Sequence, residues 1–75
     1  FLEVQVTVRN LTGGTVEYET MFEWFDAHGF KVDNPVELWK PGLIYGEATQ
    51  EIRAIAPSRS AASFRFHIRR SNPIT

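Results

Sequence analysis

Apolar and polar residues alternate with a period of two along most of this chain. Leu2, Val4, Val6 and Val8 interleave with Glu3, Gln5, Thr7 and Arg9. Successive strand residues point to opposite faces of a sheet, so this is a strand with one buried face. It stops at Asn10, where the turn formers of Asn10-Leu-Thr-Gly-Gly-Thr15 hand over to a second strand. There Val16, Tyr18, Thr20, Phe22 and Trp24 fall on one face, and Glu17, Glu19, Met21, Glu23 and Phe25 on the other, with the three glutamates marking the wetter side. Asp26 can accept a hydrogen bond from the backbone two residues on, and Gly29 can take a positive φ at no steric cost. Asp26-Ala-His-Gly29 therefore predicts a hairpin turn, with Phe30 and Val32 starting the return strand.

Pro35 cannot donate to a sheet ladder, which predicts an edge strand or a new short strand around Val36 to Trp39, closed by Lys40-Pro-Gly42. Leu43 to Gly46 reads as an apolar loop or short extended piece. Glu47 to Ala56 supports two patterns: Ala48, Ile52, Ile55 and Ala56 share a helical face, whereas Ile52 and Ala54 alternate with Glu51 and Arg53 as a strand would. A strand is expected, because an otherwise all-strand chain needs a pairing partner there. Pro57 ends it, Ser58 to Ala62 is a loop, and Phe64, Phe66 and Ile68 alternating with Arg65, His67 and Arg69 form the last strand before a tail at Asn72-Pro73. With no internal repeat, linker or low-complexity tract, residues 1–75 read as one domain. The fold class expected is all-β: a small antiparallel immunoglobulin-like β-sandwich whose single core holds Val4, Val6, Val8, Phe22, Trp24, Phe64, Phe66 and Ile68.

Composition changes this picture mainly by exclusion. A 75-residue chain buries only about 60% of its unfolded surface, and 43% hydrophobic with 13% aromatic residues supplies one two-layer core. The absence of cysteine removes disulfides, zinc thiolates and thiol catalysis but leaves an oxidising compartment open. A net charge of −1 gives no electrostatic basis for binding nucleic acid or an acidic membrane surface. No apolar run approaches the roughly 20 residues of a membrane span. The chain opens on Phe1 and alternates at once, which reads as a trimmed or processed start with a leader or anchor expected upstream.

The order Val-Thr-Val-Arg-Asn at residues 6 to 10, Phe22-Glu-Trp-Phe-Asp26 with Gly29, Trp39, Gly46, Ala54-Ile-Ala-Pro57, and Phe64-Arg with Ile68-Arg69 resembles the YcfL-like family of bacterial envelope lipoproteins, whose function is unassigned. The likeness runs from Val4 to Arg69. It implies an immunoglobulin-like sandwich held on the periplasmic side of a membrane by an N-terminal lipid. The localisation expected is therefore the bacterial periplasm, with membrane contact only through that anchor. The sequence lacks the lipidated cysteine, so the anchor rests on the resemblance alone, and the family supplies no catalytic residues to transfer.

Candidate chemistry is sparse. Asp26 and His28 flank the turn and could pair or bind a metal, but a site needs a third ligand or a nucleophile, and a polar turn is the simpler reading. Glu17, Glu19 and Glu23 have no evident cause for a raised pKa, and Ser58, Ser60 and Ser63 lack the nucleophile-elbow pattern. Gly13-Gly14 lacks the Lys-Ser/Thr of a phosphate loop, and Asn10-Leu-Thr12 matches a glycosylation sequon through its turn chemistry. No catalytic residue, metal site or cofactor is expected. Arg65, His67, Arg69 and Arg70, with Arg9 nearby, form a basic stripe that either holds a phosphate or an acidic partner or pairs across strands with Glu3, Glu17, Glu19 or Glu23. Trp39 and Tyr45 sit in the Pro- and Gly-punctuated middle, where they either cap the core or stack on a sugar or partner. Two functions follow: a non-catalytic envelope module binding an envelope protein or another copy of itself, or a carbohydrate- or peptidoglycan-binding module using Trp39 and Tyr45. The partner-binding candidates are Trp39, Tyr45, Arg65, Arg69 and Arg70.

Overall fold

The computed structural model describes residues 1–34 and 38–71. Five strands form: β1 (Glu3–Arg9), β2 (Val16–Phe25), β3 (Lys40–Ile44), β4 (Thr49–Ile55) and β5 (Ser63–Arg70). β1 pairs with β4 in one antiparallel sheet, and β2 is the centre of a second in the order β3-β2-β5. This is the all-β sandwich that the alternation predicts. The ambiguous stretch is a strand: Ile52 and Ala54 lie opposite Val6 and Val4 and are half-buried with them, while Ile55 turns out to solvent. A helix would have brought Ile52 and Ile55 to one side.

The inward face of β2 carries the core. Trp24 is 2% exposed and packs with Ala56 and Ala61, against which Leu2, Val4, Phe22, Val32 and Ala54 close. Phe22 stacks on Trp24 and meets Phe66 at 5.1 Å between ring centres. At the other end of β2, Tyr18, Thr20 and Ile44 are buried, and the Tyr18 hydroxyl donates to Gln50 Oε1 at 2.7 Å. That bond joins the two sheets through a polar tip on an otherwise apolar ring, the usual way to bury a tyrosine.

Three expectations are corrected. Lys40-Pro-Gly42 does not close a strand; it begins β3, which runs on through Leu43 and Ile44. β3 is an edge strand, where Pro41 is tolerated. Gly42 sits directly opposite Tyr18, and a Cβ there would come within 2.6 Å of the tyrosine ring. The glycine that reads as a breaker is the space into which the aromatic packs. The return strand after the Asp26 turn shrinks to one bridge between Phe25 and Lys31, with Val32 N–H donating to Trp24 O at 2.8 Å. Third, the expected single core is incomplete: Val6, Val8 and Phe66 are half-buried outside the cluster around Trp24, and Phe64 is 40% exposed and Ile68 47%, although both point to the inner face of β5, opposite Trp24 and Thr20. The expected edge strand around Val36 and the tail at Asn72-Pro73 lie outside the described residues.

The cause of that exposure is the unequal size of the sheets. One cavity is lined by Val8 together with Ile68 and Arg70, another by Ile52 and Ala54 together with Leu38 and Lys40. β1 thus stands nearest β5, and β4 stands over the β3 side. Among the described residues nothing pairs with the far edge of β1 or of β5. Two strands facing three leave the inner face of β5 incompletely roofed along that flank.

Candidate functional site

The outer face of the three-stranded sheet gathers Glu19, Glu23, Arg65, His67 and Arg69 from β2 and β5. The register puts Glu19 opposite Arg69, Met21 opposite His67 and Glu23 opposite Arg65. Arg69 Nε donates to Glu19 Oε1 at 3.2 Å, and its guanidinium lies 3.8 Å from the centre of the Trp39 ring. His67 meets the same indole edge-on and donates through Nε2 to Glu23 Oε1, while Lys31 Nζ approaches Glu23 Oε2 at 3.6 Å. The hydrogen bond from His67 pulls the Glu23 carboxyl below its usual value; desolvation opposes this, and the charges of His67 and Lys31 add to the fall. An ionised carboxylate held by two donors suits cross-strand pairing, and the lowered pKa is the wrong direction for a general acid at neutral pH.

The basic stripe is therefore divided. Arg69 and His67 engage β2 glutamates, the cross-strand alternative raised from the sequence. Arg65 lies over the Phe25 ring at 5.5 Å, and no carboxylate pairs with it among the described residues. Arg70 is opposite Tyr18, on the other face of β5 from Arg65 and Arg69, and lines a cavity with Arg9. Arg65, Arg69 and Arg70 do not form one surface.

Trp39 and Tyr45 are also separated. Trp39 is half-buried under Arg69, just before β3, whereas Tyr45 is 68% exposed just after it. The intervening strand spans about 20 Å at ~3.3 Å per residue, so the two rings cannot share one sugar.

Asp26 is a turn residue. Its Oδ1 accepts from the backbone of His28 at 2.9 Å and of Phe30 at 3.0 Å, and Gly29 takes φ 84°. The hydroxyls of Ser58 and Ser60 hydrogen-bond to each other at 2.7 Å. Among the described residues, no three His, Cys, Asp or Glu side chains gather as a metal would require.

Sequence reasoning assigned Asn10 only to a turn and a sequon. The side chain is buried, at 6% exposure, and its Nδ2 donates among Gly14 O at 2.7 Å, Tyr45 O at 3.1 Å and Ile44 O at 3.2 Å. Oδ1 accepts from Thr12 N at 2.9 Å and the Thr12 hydroxyl at 2.7 Å. The nitrogen that a glycan would occupy is thus enclosed, and the sequon is closed in the folded state. An Asn ending an alternating strand was the available signal; its partners 34 and 35 residues away were not visible.

On the flank of β1 and β5 the backbone has unpaired groups among the described residues. In the β2–β5 ladder Ser71 N–H donates to Glu17 O, and bonded pairs alternate along an antiparallel ladder. Phe64, Phe66, Ile68 and Arg70 therefore turn their N–H and C=O groups to the free edge. Ala56 N–H to Leu2 O and Asn10 N–H to Ala48 O set the same parity in β1, so Glu3, Gln5, Thr7 and Arg9 present theirs outward.

In fold, the chain is similar to a DUF1425 family member from Shewanella sp. pv-4, with a TM-score of 0.90 and 20% identity over 99% of this chain and 68% of that one. It is also similar to cj0090 of Campylobacter jejuni, with a TM-score of 0.74 and 17% identity over 92% of this chain and 73% of that one. At these identities the likeness is one of fold. The family model for DUF1425, described as a protein of unknown function, matches residues 1–70. No curated protein matches the sequence.

Proposed function

The chain belongs to the DUF1425 family of proteins of unknown function, and from that premise we propose that it is a non-catalytic interaction module of the bacterial cell envelope, the soluble part of a lipoprotein, which holds a protein partner along the flank between β1 and β5. One observation carries the reading. Phe64 and Ile68 combine apolar side chains that are 40% and 47% exposed with main-chain groups that face an unpaired edge. Soluble sheets normally cover or blunt such an edge, and strand addition satisfies both deficits at once. Placement in the envelope draws on the resemblance to YcfL-like lipoproteins, and the lipid anchor comes with it. The glycan reading has less support, because Trp39 and Tyr45 lie at opposite ends of β3 and the Trp39 ring already carries a guanidinium.

The test is site-specific photo-crosslinking in cells, using the full gene product. A photoreactive phenylalanine analogue at Phe64 should give a discrete adduct of higher mass, and the same analogue at Leu43, on the opposite edge strand, should not. Absence of an adduct at Phe64, or equal adducts at both positions, would remove the basis for a flank-specific partner.

A further inference from the structure

We propose that the occupant of this flank is an extended segment of another protein that adds as a strand beside β5 and alternates apolar with acidic residues. The inference rests on the interaction-module reading and adds the chemistry of the partner. A strand laid against Phe64, Phe66, Ile68 and Arg70 bonds to their outward N–H and C=O groups, and its residues directly opposite these share their face of the sheet. Those residues meet the exposed ring of Phe64, the half-buried Phe66 and the exposed side chain of Ile68, so they must be apolar. The residues between them fall on the outer face beside Arg65, His67 and Arg69.

Charge decides those intermediate positions. Arg65 has no carboxylate partner among the described residues, whereas Arg69 is engaged by Glu19. An acidic residue beside Arg65 would complete a pair that the fold leaves open. The same feature argues against a second copy at this edge. β5 reads Ser-Phe-Arg-Phe-His-Ile-Arg-Arg and contains no acidic residue. Two β5 strands paired with their apolar faces together would bring only serine, arginine and histidine into the outer row, in any register, and like charges directly opposite are unfavourable. The arginines thus guard the edge against self-association while favouring an acidic strand.

The experiment uses two blocked eight-residue peptides, one alternating valine with glutamate and one alternating valine with lysine, titrated into the isotopically labelled protein and followed by amide chemical shifts. The glutamate peptide should shift the amides of Phe64, Phe66, Ile68 and Arg70 saturably, with at least about tenfold preference over the lysine peptide, the scale of a few cross-strand charge pairs. The change Arg65→Glu should abolish the preference, and added salt should shrink it. Equal binding of the two peptides, or shifts away from β5, would overturn the proposal. Concentration-dependent dimers abolished by Ile68→Lys would overturn it in favour of a second copy. Protection of the Phe64, Phe66 and Ile68 amides from exchange in the full gene product before any peptide is added would overturn it in favour of the protein's own chain. If the Phe64 crosslink persists without charge preference, the acidic-strand inference falls and the interaction module stands; if both vanish, both fall.

Discussion

Replacing Asn10 with alanine should destabilise this protein far more than a residue at the end of an exposed turn ordinarily would. The side chain ties the β1–β2 crossover to the β3–β4 connection, with Nδ2 shared among three carbonyls and Oδ1 taking both donors of Thr12. Alanine retains only the backbone bond from Asn10 N–H to Ala48 O at 3.0 Å. Water can take over at Thr12 and Gly14, which are exposed, but Ile44 is buried. An unreplaced partner at such a carbonyl costs ~1–3 kcal/mol, and each bond exchanged for water costs ~1 kcal/mol or less. The loss should therefore be about 2–4 kcal/mol. Against roughly 0.05–0.15 kcal/mol per residue of net stability, that is a large fraction of the total. In a domain of this size it corresponds to a fall in Tm of roughly 10–30 °C. Urea titration read by tryptophan fluorescence is the appropriate assay, since Trp24 is 2% exposed when folded. Asn10→Asp is the discriminating variant: it keeps the acceptor for Thr12 but aims a carboxylate oxygen at three carbonyls. It should be at least as damaging as alanine at neutral pH and partly recover when the carboxyl is protonated. An alanine variant within about 0.5 kcal/mol of wild type, or an aspartate variant as stable as asparagine, would refute the reasoning.

Gly42→Ala should cost about 1–3 kcal/mol by overpacking, because the added carbon would lie 2.6 Å from a Tyr18 ring held through its hydroxyl by Gln50; a paired Tyr18→Phe, Gly42→Ala variant measured by the same urea titration should recover part of the loss. Trp24→Ala should cost ~3–5 kcal/mol, and a chain that keeps its sheet circular dichroism and cooperative melt at full midpoint would contradict a core centred on that ring. Glu23 is held below its ordinary value, so its contribution to stability is fully present above the unfolded carboxyl pKa of about 4.3 and is lost as pH falls through the lowered folded value. Carboxyl-carbon NMR should show that His67→Gln raises the Glu23 midpoint, and an unmoved midpoint would deny His67 its role as the main cause.

Much of the fold was readable because burial in a two-layer sandwich imposes a period of two. Val4, Val6, Val8, Tyr18 and Trp24 show it directly. The failures share a physical origin. Pro41 and Gly42 look like breakers in isolation, yet on an edge strand the proline is tolerated and the glycine is required by a ring that reaches it across the β2–β3 ladder. Phe64 and Ile68 carry the correct inward parity but lack a roof, because alternation reports which way a side chain points and not what lies above it. The candidate site was less readable than the fold. Arg65, Arg69 and Arg70 are close in sequence, but the one-residue step from 69 to 70 sends the last to the opposite face.

Taken alone, the sequence determined the faces of β1, β2 and β5, the Asp26–Gly29 turn and the central place of Trp24, since these depend on residues within a few positions of one another. Only the tertiary structure decided that Glu19 meets Arg69 and Glu23 meets His67, that Asn10 bonds Ile44 and Tyr45, and that β1 and β5 share an open flank. Those outcomes depend on strand register and on how many strands each sheet contains, and both are set by pairings between segments tens of residues apart. A local pattern of alternation is compatible with many such pairings, and the packing of Trp24, Phe22 and Tyr18 selects among them.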